Sequence, residues 1–133
     1  GCGLCMAVCS EMGVEALRMG DTTAGRLAYF DFKRPAEMCI GCGSCTEVCP
    51  TGAIRFEDRH GLRRLMITGT VVCEQPLLTC CECGAPTRTA AHREFIRNRL
   101  PDHMRAMLDR ELCQSCARQR GDRPAVGASS RPR

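Results

Sequence analysis

Large aromatic side chains are scarce in this sequence. Its 133 residues include four phenylalanines and one tyrosine, and no tryptophan. A chain with so few bulky side chains cannot build a thick apolar core, and small domains of this kind often depend on bound metal for their stability. We therefore expect the removal of bound cofactors to unfold much of the chain.

The sequence also lacks a long apolar stretch and an aromatic-rich basic run, and each absence excludes a class of function. No stretch approaches about 18 consecutive apolar residues, which excludes a transmembrane helix and direct membrane insertion. The formal net charge is +4, and no basic run is interleaved with aromatic residues, so nucleic acid is not an expected partner. Arg63 and Arg64 are expected to lie on a solvated strand end or to face an acidic partner.

Cysteine, by contrast, is abundant, with 13 residues. This density is typical of a secreted disulfide scaffold, a zinc protein or an iron–sulfur protein. An odd number argues weakly against complete disulfide pairing. The spacing between the cysteines then separates these three classes.

The clearest spacing is a run of four cysteines followed by a proline, C-x2-C-x2-C-x3-C-P, which comprises Cys39, Cys42, Cys45 and Cys49. This run is the signature of bacterial two-cluster ferredoxins, in which three thiolates on a tight loop bind one [4Fe–4S] cluster and the fourth binds the other. Gly41 and Gly43 let backbone N–H groups approach the cluster sulfurs. A zinc site, which needs two C-x2-C pairs and a long spacer, does not explain the third cysteine.

The same run occurs a second time, 40 residues earlier. Residues 1–9 match residues 41–49 at six of nine positions, and the matching cysteines are Cys2, Cys5 and Cys9. The counterpart of Cys39 would lie three residues before Cys2, upstream of Gly1. We therefore expect the sequence to be a fragment whose upstream targeting segment, if any, is invisible.

Crossed ligation divides these cysteines between two clusters. Cluster A takes Cys2 and Cys5 of the first run and Cys49, the last cysteine of the second run. Its fourth ligand is expected to be a cysteine upstream of the fragment. Cluster B takes three cysteines of the second run and the last of the first: Cys39, Cys42, Cys45 and Cys9. We expect the incomplete ligand set of cluster A to reflect truncation and not an open catalytic corner.

Four later cysteines predict a further metal site. They form two C-x2-C pairs separated by 29 residues: Cys80, Cys83, Cys113 and Cys116. Two such pairs are typical of a tetrahedral zinc site, and its role would be structural because four thiolates leave no open position. A third iron–sulfur cluster and free thiols are the alternatives. Cys81 could replace Cys80 as a ligand, and Cys73 is expected to be a small buried residue.

The expected fold class is α+β. Residues 1–72 are predicted to form a ferredoxin-like, pseudo-twofold dicluster domain with two short helices and two antiparallel strand pairs. Residues 73–120 are predicted to form a helical appendage around the four-cysteine zinc knuckle. Residues 121–133, rich in Gly, Pro, Ser and Arg, are predicted to be a disordered tail.

Local patterns predict individual elements within these domains. Alternating or apolar segments predict strands at 27–32, 53–56 and 62–72, and a helical turn that runs into a strand at 14–19. Residues 73–86, with four cysteines and two prolines, are predicted to be irregular. Residues 88–112 are predicted to be helical with a break near Pro101, after which Asp102 caps a second helix.

Residues 1–57 resemble the two-[4Fe–4S] ferredoxin family. Further along the chain come a C-x2-C-G-x-P motif, predicted helices and a second C-x2-C motif. This order is similar to that of the iron–sulfur subunits of formate-hydrogenlyase-type and related membrane-bound hydrogenases. Complex I has a similar two-cluster subunit. The resemblance implies a cytoplasmic subunit, held at the inner face of the membrane through its complex, that relays electrons between redox protein partners.

The expected mechanism is outer-sphere electron transfer, in which each cluster carries one electron. No nucleophile–base pair, paired carboxylates or phosphate-binding loop indicates a catalytic site. A free soluble ferredoxin is the main alternative, and a metal-binding regulatory module is another. The zinc knuckle and the added helices favour a subunit of a hydrogenase-like or formate-dehydrogenase-like oxidoreductase, because a mobile carrier needs little beyond its clusters.

Overall fold

The computed structural model describes residues 2–23, 25–30 and 38–121 of the chain. Apart from Gly121, the predicted tail lies outside the described residues, as do positions 31 and 32 of the strand predicted at 27–32. Helices and strands are mixed throughout, as the predicted α+β class requires. The pseudo-twofold symmetry of a ferredoxin-like fold stays a prediction.

Each cysteine run leads into a short helix and then an antiparallel hairpin. The elements of the first half are α1 (Leu4–Glu11), β1 (Leu17–Thr22) and β2 (Gly25–Phe30). Those of the second half are α2 (Ser44–Glu47), β3 (Ile54–Arg59) and β4 (Leu62–Ile67). The repeat in the sequence is therefore also a repeat of structure, and α1 packs against α2.

The second hairpin continues into a four-stranded antiparallel sheet, β3-β4-β5-β6. Strand β5 (Thr70–Thr79) crosses the predicted boundary between the first two domains, and β6 is Pro86–Thr89. Residues 73–79 are thus a regular strand, and the prediction of an irregular segment was wrong for them. Pro76 is tolerated because the pairing of β5 with β6 begins only at Leu77, so the missing N–H of the proline breaks no bond to β6.

Helices follow the sheet, with the predicted break at Pro101. They are α3 (Ala90–Arg97), α4 (Asp102–Arg105), a 3-10 turn (Ala106–Leu108) and α5 (Gln114–Gly121). Asp102 does not cap α4, because Pro101 occupies the N-cap position and the Asp102 carboxylate pairs with Arg105 at 2.8 Å. Among the described residues, no helix has the length and apolar character needed to cross a membrane.

The buried core is small and rich in cysteine. Its members are Cys5, Ala16, Leu17, Cys39, Cys45, Ile54, Leu65 and Cys73. Four of these eight are cysteines, and three of the four belong to the predicted cluster ligands. The apolar core and the predicted metal ligands therefore occupy the same volume, which agrees with the expectation that cofactors stabilise the fold.

Gly43, at the start of α2, allows a close contact that a larger residue would prevent. Its φ is 95°, and a Cβ there would lie 2.5 Å from Phe56 Cε2. We expect Gly43→Ala to lower the thermal unfolding midpoint of the cluster-loaded protein, since left-handed strain of about 1–2 kcal/mol adds to the clash. Gly61→Ala is the matched control, because Gly61 has φ 75° and nothing lies within 4 Å of its Cβ position. Equal effects of both variants would contradict the importance of the Phe56 contact.

Candidate iron–sulfur and metal sites

The four predicted ligands of cluster B line a single cavity. Three of them, Cys39, Cys42 and Cys45, come from the second run, and Cys9 comes from the last turn of α1. Phe56 and Leu65 of the hairpin line the same cavity. The convergence of Cys9 with the second run is the arrangement that crossed ligation requires, so these residues fit an iron–sulfur cluster.

Burial and neighbouring thiolates both act on the pKa values of the buried cysteines. Burial raises the pKa of Cys45 to about 12, and the negative charges of Cys42, Cys9 and Cys5 act in the same direction. Burial also raises the pKa of Cys5, with a further contribution from Cys49 and Cys2. Buried thiols of this kind keep their protons at neutral pH unless a cation replaces them, as bound iron would.

Two of the three cluster A cysteines are accessible to solvent, whereas Cys5 is buried in the core. Cys2 is exposed, and Cys49 is half-buried after α2. The pKa of Cys49 is lowered to about 7, because the N–H of Ile54 and the hydroxyl of Thr51 stabilise its thiolate; the sulfur lies 3.7 Å from Thr51 Oγ1. Cluster A would therefore present ligands toward the solvent, while the sheet covers Cys39 and Cys45 of cluster B.

Three side chains of the sheet hold the loop that carries Cys39 and Cys42. Arg63 Nη1 donates to Gly41 O at 3.0 Å, Gln75 Nε2 donates to Cys39 O at 2.9 Å, and the Thr89 hydroxyl donates to Ile40 O. No local pattern pointed to Gln75 or Thr89, which are 36 and 49 residues away from their partners along the chain.

Arg63 is not on a solvated strand end. Its side chain is 16 % exposed and forms two 2.8 Å hydrogen bonds with the Asp58 carboxylate. Its guanidinium also stacks over the Phe56 ring, 4.7 Å from the centroid. The expectation of a solvated or partner-facing side chain was therefore wrong for Arg63, and the residue supports the cluster B loop instead.

Cys80, Cys83, Cys113 and Cys116 come together as the sequence predicts. Their sulfur atoms all lie within 4.8 Å of one another, and the Sγ atoms of Cys83 and Cys113 are 3.5 Å apart. Zn–S bonds of about 2.3 Å place the sulfurs of a tetrahedral site about 3.8 Å apart. The spacing therefore fits a single ion, whereas a cube whose thiolates bind four different irons would spread them further.

Local structure explains how the two pairs meet. Cys80 follows β5, and the turn through Gly84, with φ 73°, returns the chain to β6. Cys113 precedes α5, and Cys116 lies in its first turn. The pKa of Cys113 is lowered to about 6, because the Ser115 hydroxyl at 3.1 Å and the N–H of Cys116 stabilise its thiolate. Cys113 is thus prepared to bind a cation near neutral pH.

Two other cysteines lie beside these sites. The Cys81 side chain is exposed and is not part of the four-sulfur group, so the structure selects Cys80 over Cys81. Cys73 is 4 % exposed, which confirms its predicted burial. The pKa of Cys73 is lowered to about 7, chiefly because the neighbouring Cys39 thiol stabilises its thiolate.

The four-sulfur group can be tested with neighbouring cysteines. We expect Cys83→Ser to abolish tight binding of the single metal ion, because three thiolates and a neutral hydroxyl hold it more weakly. Cys81→Ser, the matched control, should keep about one ion per chain. Metal analysis of both purified variants measures this, and iron bound elsewhere should stay unchanged. Loss of the ion in Cys81→Ser, with retention in Cys83→Ser, would contradict the assignment.

Comparisons with known proteins agree with this geometry. Residues 1–56 match the family model of the 4Fe–4S dicluster domain. The chain is 31 % identical over 81 residues to an iron–sulfur subunit of the CoB–CoM heterodisulfide reductase of Methanocaldococcus jannaschii, in an alignment that covers 55 % of this chain and 12 % of the relative. The chain therefore spans a small part of that curated relative. Together with the converging cysteines, these matches support a ferredoxin-like, cluster-binding iron–sulfur region at residues 1–56.

Proposed function

We propose that this chain is an electron-relay subunit of a larger oxidoreductase and carries two [4Fe–4S] clusters. The observation that carries the proposal is the cavity lined by Cys9, Cys39, Cys42 and Cys45, because its ligands come from both cysteine runs. Cluster A would use Cys2, Cys5 and Cys49 together with a fourth ligand.

The relay follows from the arrangement of the two ligand sets. Cys5 of cluster A lies within the electrostatic reach of Cys45 of cluster B, so the two clusters would be neighbours. When bound, the clusters supply one-electron redox chemistry. The packing of α1 against α2 would keep the two ligand sets together, and the exposed Cys2 would offer a route from cluster A toward a partner protein.

A structural zinc ion at Cys80, Cys83, Cys113 and Cys116 completes the proposal. The compact sulfur group supports one ion in preference to a third cluster. The ion would fasten α5 to the end of β5, and so attach the C-terminal helices to the cluster-binding half.

The subunit role has two sources of support. The similar protein of Methanocaldococcus jannaschii is named as an iron–sulfur subunit of a reductase, and the order of motifs is similar to that of hydrogenase iron–sulfur subunits. We therefore propose redox partner subunits in a hydrogenase-like or formate-dehydrogenase-like complex. Its place would be the cytoplasm, at the inner face of the membrane.

Crossed ligation has a specific signature in single variants. We expect Cys9→Ser and Cys42→Ser to remove the same EPR signal of the reduced full-length protein, and Cys5→Ser and Cys49→Ser to remove the other. The reason is that each cluster takes its last ligand from the opposite run. The unmodified protein should contain about eight irons, as should the Cys81→Ser control. Loss of the same signal in Cys9→Ser and Cys5→Ser would contradict crossed ligation, and about four irons in the unmodified protein would contradict two clusters.

The size of the native protein separates a subunit from a free ferredoxin. We expect the full-length protein to elute from a gel-filtration column in an assembly that is larger than the single chain and contains other redox proteins. Zinc removal should weaken that assembly, since the C-terminal helices depend on the ion. A stable monomer with both clusters would instead favour a free soluble ferredoxin.

A further inference from the structure

We propose that Thr89 is a positioning residue for the cluster B loop and couples this loop to the metal site of Cys80, Cys83, Cys113 and Cys116. The inference rests on the proposed function, because it takes cluster B to occupy the cavity beside Thr89. It adds a residue that contacts neither metal, and a communication between the two metal sites.

Three consecutive carbonyl groups of the cluster B loop are fixed by the sheet. Their acceptors are the oxygens of Cys39, Ile40 and Gly41, and each accepts from a different strand. Arg63 lies on β4, Gln75 on β5 and Thr89 at the end of β6. Hydrogen bonds to buried carbonyls matter because an unsatisfied carbonyl bears the full cost of its lost hydration.

These bonds also set the direction of the loop amides. In a planar trans peptide the N–H points opposite to the C=O of the same unit. With the carbonyls of residues 39–41 bonded to Gln75, Thr89 and Arg63, the N–H groups of residues 40–42 point away from these three side chains. Ile40, Gly41 and Cys42 line the cluster B cavity, so their N–H groups would be available to sulfurs of a cluster bound there.

Thr89 is the most constrained of the three donors. It is fully buried, at 0 % exposure. Its hydroxyl donates to Ile40 O and accepts from the N–H of His92 at 3.1 Å, as the N-cap of α3. Its methyl group packs against Gly41, where an added Cβ would come within 2.7 Å of Thr89 Cγ2.

Strand β6, which carries Thr89, is connected at both ends to residues next to the four-cysteine site. At its start, Cys80 N donates to Ala85 O at 2.8 Å. Next to Thr89, Arg88 pairs with the carboxylate of Glu111 at 3.0 Å. The Glu111 carbonyl in turn accepts from the Cys81 N–H at 2.8 Å. An ion that draws Cys80 and Cys83 to Cys113 therefore fixes both ends of β6.

The consequence is a path of contacts from one metal site to the other. The ion positions the knuckle and Glu111, these position β6, and β6 holds Ile40 O through Thr89. A coupling of this kind is reciprocal in binding free energy. Loss of the ion should therefore loosen the cluster B loop, and loss of cluster B should weaken binding of the ion.

The first experiment replaces the hydroxyl and keeps the shape. In the cluster-loaded protein, Thr89→Val should move one of the two cluster reduction potentials to a more negative value, because fewer loop N–H groups then face the sulfurs. Iron loss from that cluster to a chelator should become about fivefold faster, as expected for one ordinary hydrogen bond. Thr89→Ser keeps the hydroxyl and should restore both values.

Thr87→Val is the matched control, because the Thr87 hydroxyl donates to Leu78 O at 3.1 Å within the same strand pair and not to the loop. It should leave both potentials unchanged. Unchanged potentials in Thr89→Val, or equal shifts in Thr89→Val and Thr87→Val, would overturn the positioning role. A thermal destabilisation without a change of potential would overturn it as well, and would leave Thr89 as a helix cap.

The second experiment tests the coupling. Removal of the ion, by Cys113→Ser or by a zinc chelator applied to the folded protein, should shift the cluster B potential in the unmodified chain. The same removal should shift it less in the T89V background, because the path is already broken. Equal shifts in both backgrounds would overturn the coupling.

Iron analysis of the unmodified protein separates failure of the proposed function from failure of this inference. Absence of the clusters would overturn both, whereas normal cluster content without coupling would overturn only the inference.

Discussion

The structure depends on buried cysteine thiols, which lose their protons at neutral pH only when a cation binds the sulfur in their place. Cys5, Cys39 and Cys45 are buried in the core, and burial makes ionisation of such groups unfavourable. Iron ions that replace their protons would satisfy the negative charge and join the segments that carry the sulfurs. The hairpins, the sheet and the helices around this point give the thiols their positions, but the apolar contacts among them are few.

The sheet contributes to this centre through backbone acceptors. Strands β4, β5 and β6 each send one side chain to a carbonyl of the loop between Cys39 and Cys42. Two of the donors, Gln75 and Thr89, are neutral. The third, Arg63, also forms an ion pair with Asp58. In the folded chain these three bonds therefore fix the conformation of the loop that carries Cys39 and Cys42.

Spacing and repeats predicted which cysteines come together in space, since metal ligation imposes fixed intervals on the chain. The mixed α and β composition and the break at Pro101 also followed from local patterns. Local patterns do not predict the regular strand at residues 73–79, because its cysteine and proline favour irregular structure, whereas pairing with β4 and β6 decides the conformation. Thr89 and Gln75 could not be predicted, since contacts across 49 and 36 residues depend on tertiary packing and leave no local signal.

The cavity between Cys9 and the second run has a consequence for the life of the chain in a cell. Its residues are separated by the whole first hairpin, so with the proposed crossed ligation neither repeat would complete a cluster from its own residues. Newly made chains would then have to keep both runs available until iron and sulfide arrive, and during that interval the small core would leave the backbone open to proteases. The abundance of the protein would then follow the supply of clusters, even with a constant rate of synthesis.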